Sequence, residues 1–268
     1  MERKTVKRVI LTKENYHSNE ANRVYMSNSQ YKDFLSCEAA AMAKIRGEFI
    51  TPQNDACLIG SYVHAWLEGA IDEFKEQTPE LFKNNGQLYA KYEVADRMIE
   101  TLRSDKLVQY IFQGQKEVIM TAEMFGAPWK VRFDVYQPGK KIVDLKTVQD
   151  IRKKIYTPLY GYTSFVEAYE YIRQFAIYLE VERRVTGAEA WLERFLVAVS
   201  KEEEPDKEII TIDNERLQIE LDLVENNMPR IIAVKSGFEQ PKRCEVCKYC
   251  RRTKKLTGVV HFSELVVS

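Results

Sequence analysis

The amino-acid sequence predicts a domain of the α/β or α+β class. Its patterns run in the order helices, β-meander, helix, strand, helix, which suits layers packed on a sheet. The 268 residues are 45% hydrophobic, enough for one large core or two small ones. No internal repeat and no low-complexity linker divides them, so a single domain over 1–268 is expected.

The elements follow in order. Ser27 or Ser29 caps a helix over "SNSQYKDFLSCEAAAMAKI". "GSYVHAWLEGAIDEFKEQ" is a second helix, with Val63, Trp66, Leu67, Ala70, Ile71 and Phe74 at helical spacing. A third helical stretch runs from about Asn85 to Tyr110, closing a helical part over about 1–110. Strand signals begin at "KEVIMTAEMF" and continue through "KVRFDVYQPGKKIVDLKT". "SFVEAYEYIRQFAIYLEVERRV" reads as one long amphipathic helix with Phe165, Tyr169, Ile172, Phe175, Ala176 and Leu179 along its apolar stripe. "WLERFLVAVS" is a strand, and "EIITI" is another or its continuation. The next stretch is helical and broken or bent near Pro229, and a Cys-rich tail occupies about 240–268.

The segment Lys130–Thr147 is a hairpin that turns at Pro138-Gly139. Burying its apolar residues sets Phe133 opposite Leu145 and Val135 opposite Val143. That register opposes Asp134 and Asp144, and opposed like charges destabilise a sheet unless a cation lies between them. A hard divalent ion takes such oxygen ligands. Lys146, on the face of Asp144, then reaches water or phosphate at the metal. The blander reading is two solvated carboxylates on an exposed face.

Other features exclude more than they assign. Lys+Arg and Asp+Glu are both 40, so bulk charge points to no nucleic-acid or membrane partner. No run approaches the ~18 apolar residues of a membrane span, and the N-terminus lacks a signal-peptide pattern, so a cytoplasmic location is expected. No phosphate-loop, H-E-x-x-H or G-x-S-x-G motif occurs. Cys244, Cys247 and Cys250 form C-x-x-C-x-x-C, a metal-site pattern or three free thiols. Cys57 reads as a buried thiol. Arg152-Lys153-Lys154 follows the D-x-K strand, where a phosphate backbone would run if the cluster is more than a solvated surface.

Four motifs in order make the chain resemble the PD-(D/E)xK nuclease superfamily, in its RecB/RecE-like branch of phage exodeoxyribonuclease VIII-type exonucleases. They are "GSYVHAWLE", "RFD", "DLK" and "QFAIY", spanning Gly60 to Tyr178. The resemblance implies a restriction-endonuclease-like α/β core, with a mixed central sheet flanked by helices. It implies Mg²⁺ or Mn²⁺ held by His64, Asp134, Asp144 and the backbone carbonyl of Leu145. Lys146 is implied as a catalytic residue, with Gln174 and Tyr178 beside it. The row Tyr171, Gln174 and Tyr178 would touch the scissile strand or hold Lys146. Glu68, at i+4 from His64, is an outer partner of the imidazole or a surface charge, and Glu123 is an added carboxylate or a surface residue.

Some relatives tie one upstream cysteine to three C-terminal ones around an iron–sulfur cluster, so Cys37 is the implied fourth ligand. The final spacing here is shorter than theirs, which keeps both a [4Fe-4S] cluster and zinc open. The implied activity is exonucleolytic digestion of duplex DNA ends, beside a single-strand annealing recombinase and within a homo-oligomeric ring. A structure-specific endonuclease of the same fold and a non-catalytic DNA-binding module with a structural metal are the alternatives.

Overall fold

The computed structural model of the chain describes residues 9–265, apart from 53, 159 and 257. The chain enters through α1 (Asn19–Val24), α2 (Asn28–Ser36) and α3 (Glu38–Arg46). Ser27 caps α2, its side chain accepting from the Gln30 N–H. The single helix expected here breaks at Cys37, whose backbone is extended. Helix α4 (Asp55–Glu68) starts earlier than expected, on an Asn54 cap, and stops at Gly69 with φ 76°. Glycine takes that left-handed conformation without strain, so α5 (Ile71–Gln77) is a separate helix. The third helical stretch likewise divides into α6 (Val94–Arg103) and α7 (Lys106–Ile111). Asp105 restarts it, accepting from the Leu107 and Val108 N–H groups.

The meander is β1 (Gln115–Met124), β2 (Ala127–Gln137) and β3 (Lys141–Val148). A small hairpin, β4 (Ile155–Thr157) and β5 (Gly161–Thr163), follows where no element was expected. The long helix is interrupted at Glu170, φ 64°, giving α8 (Phe165–Ala168) and α9 (Tyr171–Thr186). Tyr169 lies at that interruption and is exposed, not part of the buried stripe. Both later strand signals are realised, as β6 (Glu193–Ser200) and β7 (Lys207–Ile210). Helix α10 (Asn214–Lys235) runs through Pro229 without the break that was one of the two expectations there. Its neighbours Met228 and Ile231 are buried, so packing holds the turn that the proline weakens. Helix α11 (Lys248–Arg252) lies in the Cys-rich tail.

The central sheet has the order β1-β2-β3-β6-β7. Only β3 and β6 pair in parallel, across the α8–α9 connection; the other pairs are antiparallel. One face carries Phe133, Ile142, Leu196 and Ala198 into a core with α9, α10 and the α2–α3 region. The other carries Val135, Val143, Leu145 and Val197 into a core with α4, α6 and α7. This is the mixed sheet flanked by helices that the resemblance implies. Among the described residues, no helix is long and apolar enough to cross a membrane.

The expected hairpin register is correct where the ladder exists, since Val135 pairs with Val143. The ladder ends at that pair. Beyond it β3 stays on β6 while β2 stays on β1, so the sheet forks. The faces also depart from expectation. Phe133 lies in the α9 core, whereas Val135 lies in the α4 core. Strand β2 turns over between them, opposite Glu117 of β1, whose φ is 55° and which is skipped by the β1–β2 pairing.

Candidate active site at the fork of the sheet

Asp134 and Asp144 stand on the two arms of the fork. They do not form the directly opposed pair expected from the sequence. Asp134 Oδ2 instead accepts the Leu145 N–H at 2.7 Å, so a side chain takes up a backbone donor in the gap between the strands. Asp144 is 5% exposed. Its Oδ1 accepts from Gln174 Nε2 of α9 at 2.6 Å, and its Oδ2 lies 2.6 Å from Lys146 Nζ. That Oδ2 is fully buried and has no aligned hydrogen-bond donor.

Both helical layers reach into the fork. From α4, His64 Nδ1 approaches Asp134 Oδ1 at 3.5 Å. A Cβ at Gly60 would stand 3.0 Å from Thr147 Oγ1, so the glycine lets α4 come close to β3 next to Lys146. From α9, the Tyr171 ring lies under Lys146 Nζ, 5.0 Å from the ring centroid. The row Tyr171, Gln174 and Tyr178 thus divides its work. Tyr171 meets the lysine, Gln174 holds the carboxylate, and Tyr178 packs edge-on to Phe133 at 5.4 Å.

The charges are arranged unevenly. Burial pushes Asp134 up, but His64, Lys146 and the Leu145 N–H outweigh it and hold the carboxyl at about 2. Asp144 goes the other way, raised by burial and by the charge of Asp134 against the pull of Lys146. For His64 burial favours the neutral ring, yet Asp134 overcomes it and raises the pKa. Burial likewise opposes the charge on Lys146, and Asp144 and Asp134 more than restore it. Burial carries the Tyr178 hydroxyl well above its ordinary range, so it stays protonated.

Glu117 is a residue that the sequence reading missed. It is 5% exposed, pairs with Arg132 Nε at 2.9 Å, and faces Glu68 and Asp134. Burial, then those two carboxylates, push it to about 7 against Arg132. Glu68 therefore meets Glu117 and, at 3.8 Å, Lys13. Glu123 lies opposite Pro128, six residues along β1 from Glu117, and its side chain is exposed. At ~3.4 Å per residue it stands roughly 20 Å along the strand from the Asp134 position.

The donor set fits a hard divalent ion. It comprises an ionised Asp134, the neighbouring Asp144 with a buried oxygen lacking an aligned donor, and an imidazole. Their ligand atoms are not gathered as tightly as those of the cysteines described next.

Cys37, Cys244, Cys247 and Cys250 come together although Cys37 is distant in sequence. Their sulfurs all lie within 4.8 Å of one another, a group able to hold a metal ion. Cys37 Sγ is 3.6 Å from Cys250 Sγ, and Cys244 Sγ is 4.0 Å from it. Tetrahedral bonds of ~2.3 Å to one zinc ion would separate sulfurs by about 3.8 Å. The Cys247 and Cys250 N–H groups point at the sulfurs of Cys244 and Cys247. Burial raises the Cys244 thiol, but the Cys247 and Val246 N–H groups, with the Cys247 and Cys37 thiols, prevail and bring it to about 6. Burial carries Cys250 up to about 12. Arg230 of α10 forks onto Glu38 of α3 at 2.9 and 2.7 Å and donates to the Gln240 carbonyl, and the Lys242 N–H donates to the same Glu38 carboxylate, which docks the tail on α3. Cys57, expected to be buried, is exposed on the first turn of α4.

Comparisons with known proteins agree with this fold. Residues 27–253 match a family described as a PDDEXK-like domain of unknown function (DUF3799). The crystal structure of a presumed exonuclease from Eubacterium rectale superposes with a TM-score of 0.91 at 41% identity, covering 96% of this chain and 98% of that one. A further solved structure, SSO0001, covers 83% of this chain and 91% of its own at 17% identity, with a TM-score of 0.28. No curated protein matches the sequence.

Proposed function

This chain belongs to the PDDEXK-like DUF3799 family, and from that premise we propose that it is a metal-dependent nuclease that digests DNA from duplex ends. The observation that carries the proposal is the forked site, where Asp134, Asp144 and Lys146 meet His64 and Gln174 from opposite layers. The Eubacterium rectale protein supports the exonucleolytic form, because its likeness extends over nearly the whole of both chains. The expected single-strand annealing partner and homo-oligomeric ring belong to the same proposal.

His64, Asp134, Asp144 and the Leu145 carbonyl would hold Mg²⁺ or Mn²⁺. A bound ion of this kind lowers the pKa of water and neutralises charge on phosphoryl oxygens. The chain's own groups do the rest. Lys146 keeps its proton and offers a cation to the charge that develops during hydrolysis. Gln174 fixes the rotamer of Asp144, and the Leu145 N–H fixes that of Asp134. Tyr178 retains its proton, so it can donate a hydrogen bond there and does not serve as a general base. At the cysteines, the sulfur spacing favours one tetrahedral zinc ion over a [4Fe-4S] cluster.

The test uses end-labelled linear duplex and covalently closed circular DNA, each with Mg²⁺, Mn²⁺, Ca²⁺ or chelator. Loss of the linear DNA alone, with Mg²⁺ or Mn²⁺, is expected. Cutting of the circle would favour the endonuclease. No cleavage of either DNA with any ion would refute the nuclease reading.

A further inference from the structure

The small hairpin β4–β5 has no part in the site so far. Tyr156 is 65% exposed and Tyr162 75% exposed, and the two rings meet edge to face at 5.5 Å. Exposed tyrosines of this number on so short a hairpin contribute little to a core. Tyr156 borders a groove of about 270 Å³, lined also by Val148, Lys153, Lys154 and Tyr169 among others. Asp150 also borders it, but its carboxylate accepts from the Arg152 and Lys153 N–H groups. Arg152 turns away to Asp206 and Glu208. Lys153 and Lys154 are exposed and form no ion pair among the described residues.

The groove is continuous with the carboxylate site in two ways. Strand β3 carries Asp144 and Lys146 and then runs directly into Val148 at the groove wall. The Lys146 ammonium sits on the Tyr171 ring, Tyr171 meets Tyr169 edge to face at 6.1 Å, and Tyr169 lines the groove. A row of aromatic faces therefore leads from the lysine to the hairpin, with two exposed cations beside it. Aromatic faces bordered by lysines are what an unpaired nucleic-acid strand requires, because every base offers a face and every linkage a negative charge. A paired duplex hides its base faces and would use only the lysines.

We propose that Tyr156 and Tyr162, with Tyr169 and the lysines of the groove, form a stacking platform for the unpaired strand of a DNA substrate next to the scissile phosphate. This deepens the nuclease reading and rests on it for the placement of that phosphate. The platform holds bases without regard to sequence.

The experiment measures fluorescence anisotropy of a labelled oligothymidylate and of a labelled blunt duplex, both in chelator so that nothing is cut. Tyr156→Ala/Tyr162→Ala is compared with the wild type, with Tyr89→Ala as an exposed-tyrosine control and Tyr156→Phe/Tyr162→Phe as the conservative pair. Circular dichroism checks folding. Removing one stacked base contact weakens binding about tenfold. The double alanine variant is expected to bind the single strand at least tenfold more weakly, with little change on the blunt duplex. The phenylalanine pair and Tyr89→Ala should match the wild type. Equal single-strand affinity in the double alanine variant, or no single-strand binding by the wild type, overturns the platform. A wild type that binds the strand through these tyrosines yet cleaves no DNA with Mg²⁺ or Mn²⁺ overturns the nuclease reading and leaves the platform standing.

Discussion

Replacing Lys146 by methionine keeps the length of the side chain and removes its charge. The ammonium stands 2.6 Å from Asp144 Oδ2, and the two side chains are only 18% and 7% exposed. At an effective dielectric of about 20, that separation corresponds to roughly 6 kcal/mol of gross attraction. Desolvation of both groups cancels part of it. Removing one partner of a buried pair nevertheless costs about 3–5 kcal/mol, since the other is left buried and uncompensated. Asp144 is already raised by burial and by Asp134, and apart from Lys146 only the weaker pull of His64 opposes that rise. Lys146→Met should therefore lose about 3 kcal/mol in urea unfolding with chelator present, or about 6–12 °C in melting temperature. Lys146→Met/Asp144→Asn should recover most of that loss, because no buried charge is stranded. Neither variant should cleave DNA. Mn²⁺ should stabilise the single variant more than the wild type, as the ion no longer competes with an ammonium for Asp144. A Lys146→Met protein within ~0.5 kcal/mol of wild type in chelator would show that the pair is not a buried charge couple, and the reasoning would fail.

Three further outcomes are expected. Gln174→Ala should cost about 1.5–3 kcal/mol through the lost hydrogen bond to a charged oxygen, and should slow cleavage at least tenfold as Asp144 loses its fixed rotamer; urea unfolding and single-turnover rates check both. Cys37→Ser and Cys247→Ser should each lower the melting temperature more than they lower cleavage, and elemental analysis should find about one zinc per wild-type chain; iron with sulfide instead would assign a cluster. Burial brings Lys235, whose ammonium contacts the Tyr25 carbonyl and Gln30 Oε1, down to about 7, with Lys130 adding to the shift. Between pH 7 and its unfolded value the unfolded chain binds the extra proton, so stability should rise with pH there by up to ~1.4 kcal/mol per unit, and Lys235→Met should flatten that slope in urea titrations at pH 7, 8 and 9.

The legible parts of the molecule were those with a period or a pattern. Strand alternation placed Asp144 and Lys146 on one face and set Val135 against Val143, as the fold has them. Helix breaks were less legible, because Cys37 and Glu170 carry no breaker chemistry. Cys37 turns extended where the Cys-rich tail docks, a tertiary cause that no local window contains. Glu117 was within reach. The β1–β2 turn lies at Phe125-Gly126, φ 53° and 80°. Counting back from that turn pairs Met124 with Ala127 and brings Glu117 opposite Asp134. Of the two readings left open for Glu123, the surface residue is the one the register supports, because the same count puts it at the far end of the strand. The hairpin β4–β5 escaped because three-residue strands leave too short an alternation to read.

The fork explains why the carboxylates could not be placed by strand pairing alone. One more rung of the β2–β3 ladder would set Asp134 directly against Asp144, and opposed like charges destabilise a sheet. Parting the strands eases that repulsion but strips the Leu145 N–H of its cross-strand partner. An unpaired N–H buried there would cost about 1–3 kcal/mol. Asp134 supplies the missing acceptor, so the same carboxylate that forbids the rung also replaces its hydrogen bond. The gap that results is open to both helical layers, which is how His64 from α4 and Gln174 from α9 reach two carboxylates on neighbouring strands. A closed sheet would have offered each layer only the side chains of its own face. The acidic pair is thus a cause of the local fold as well as the centre of the proposed chemistry.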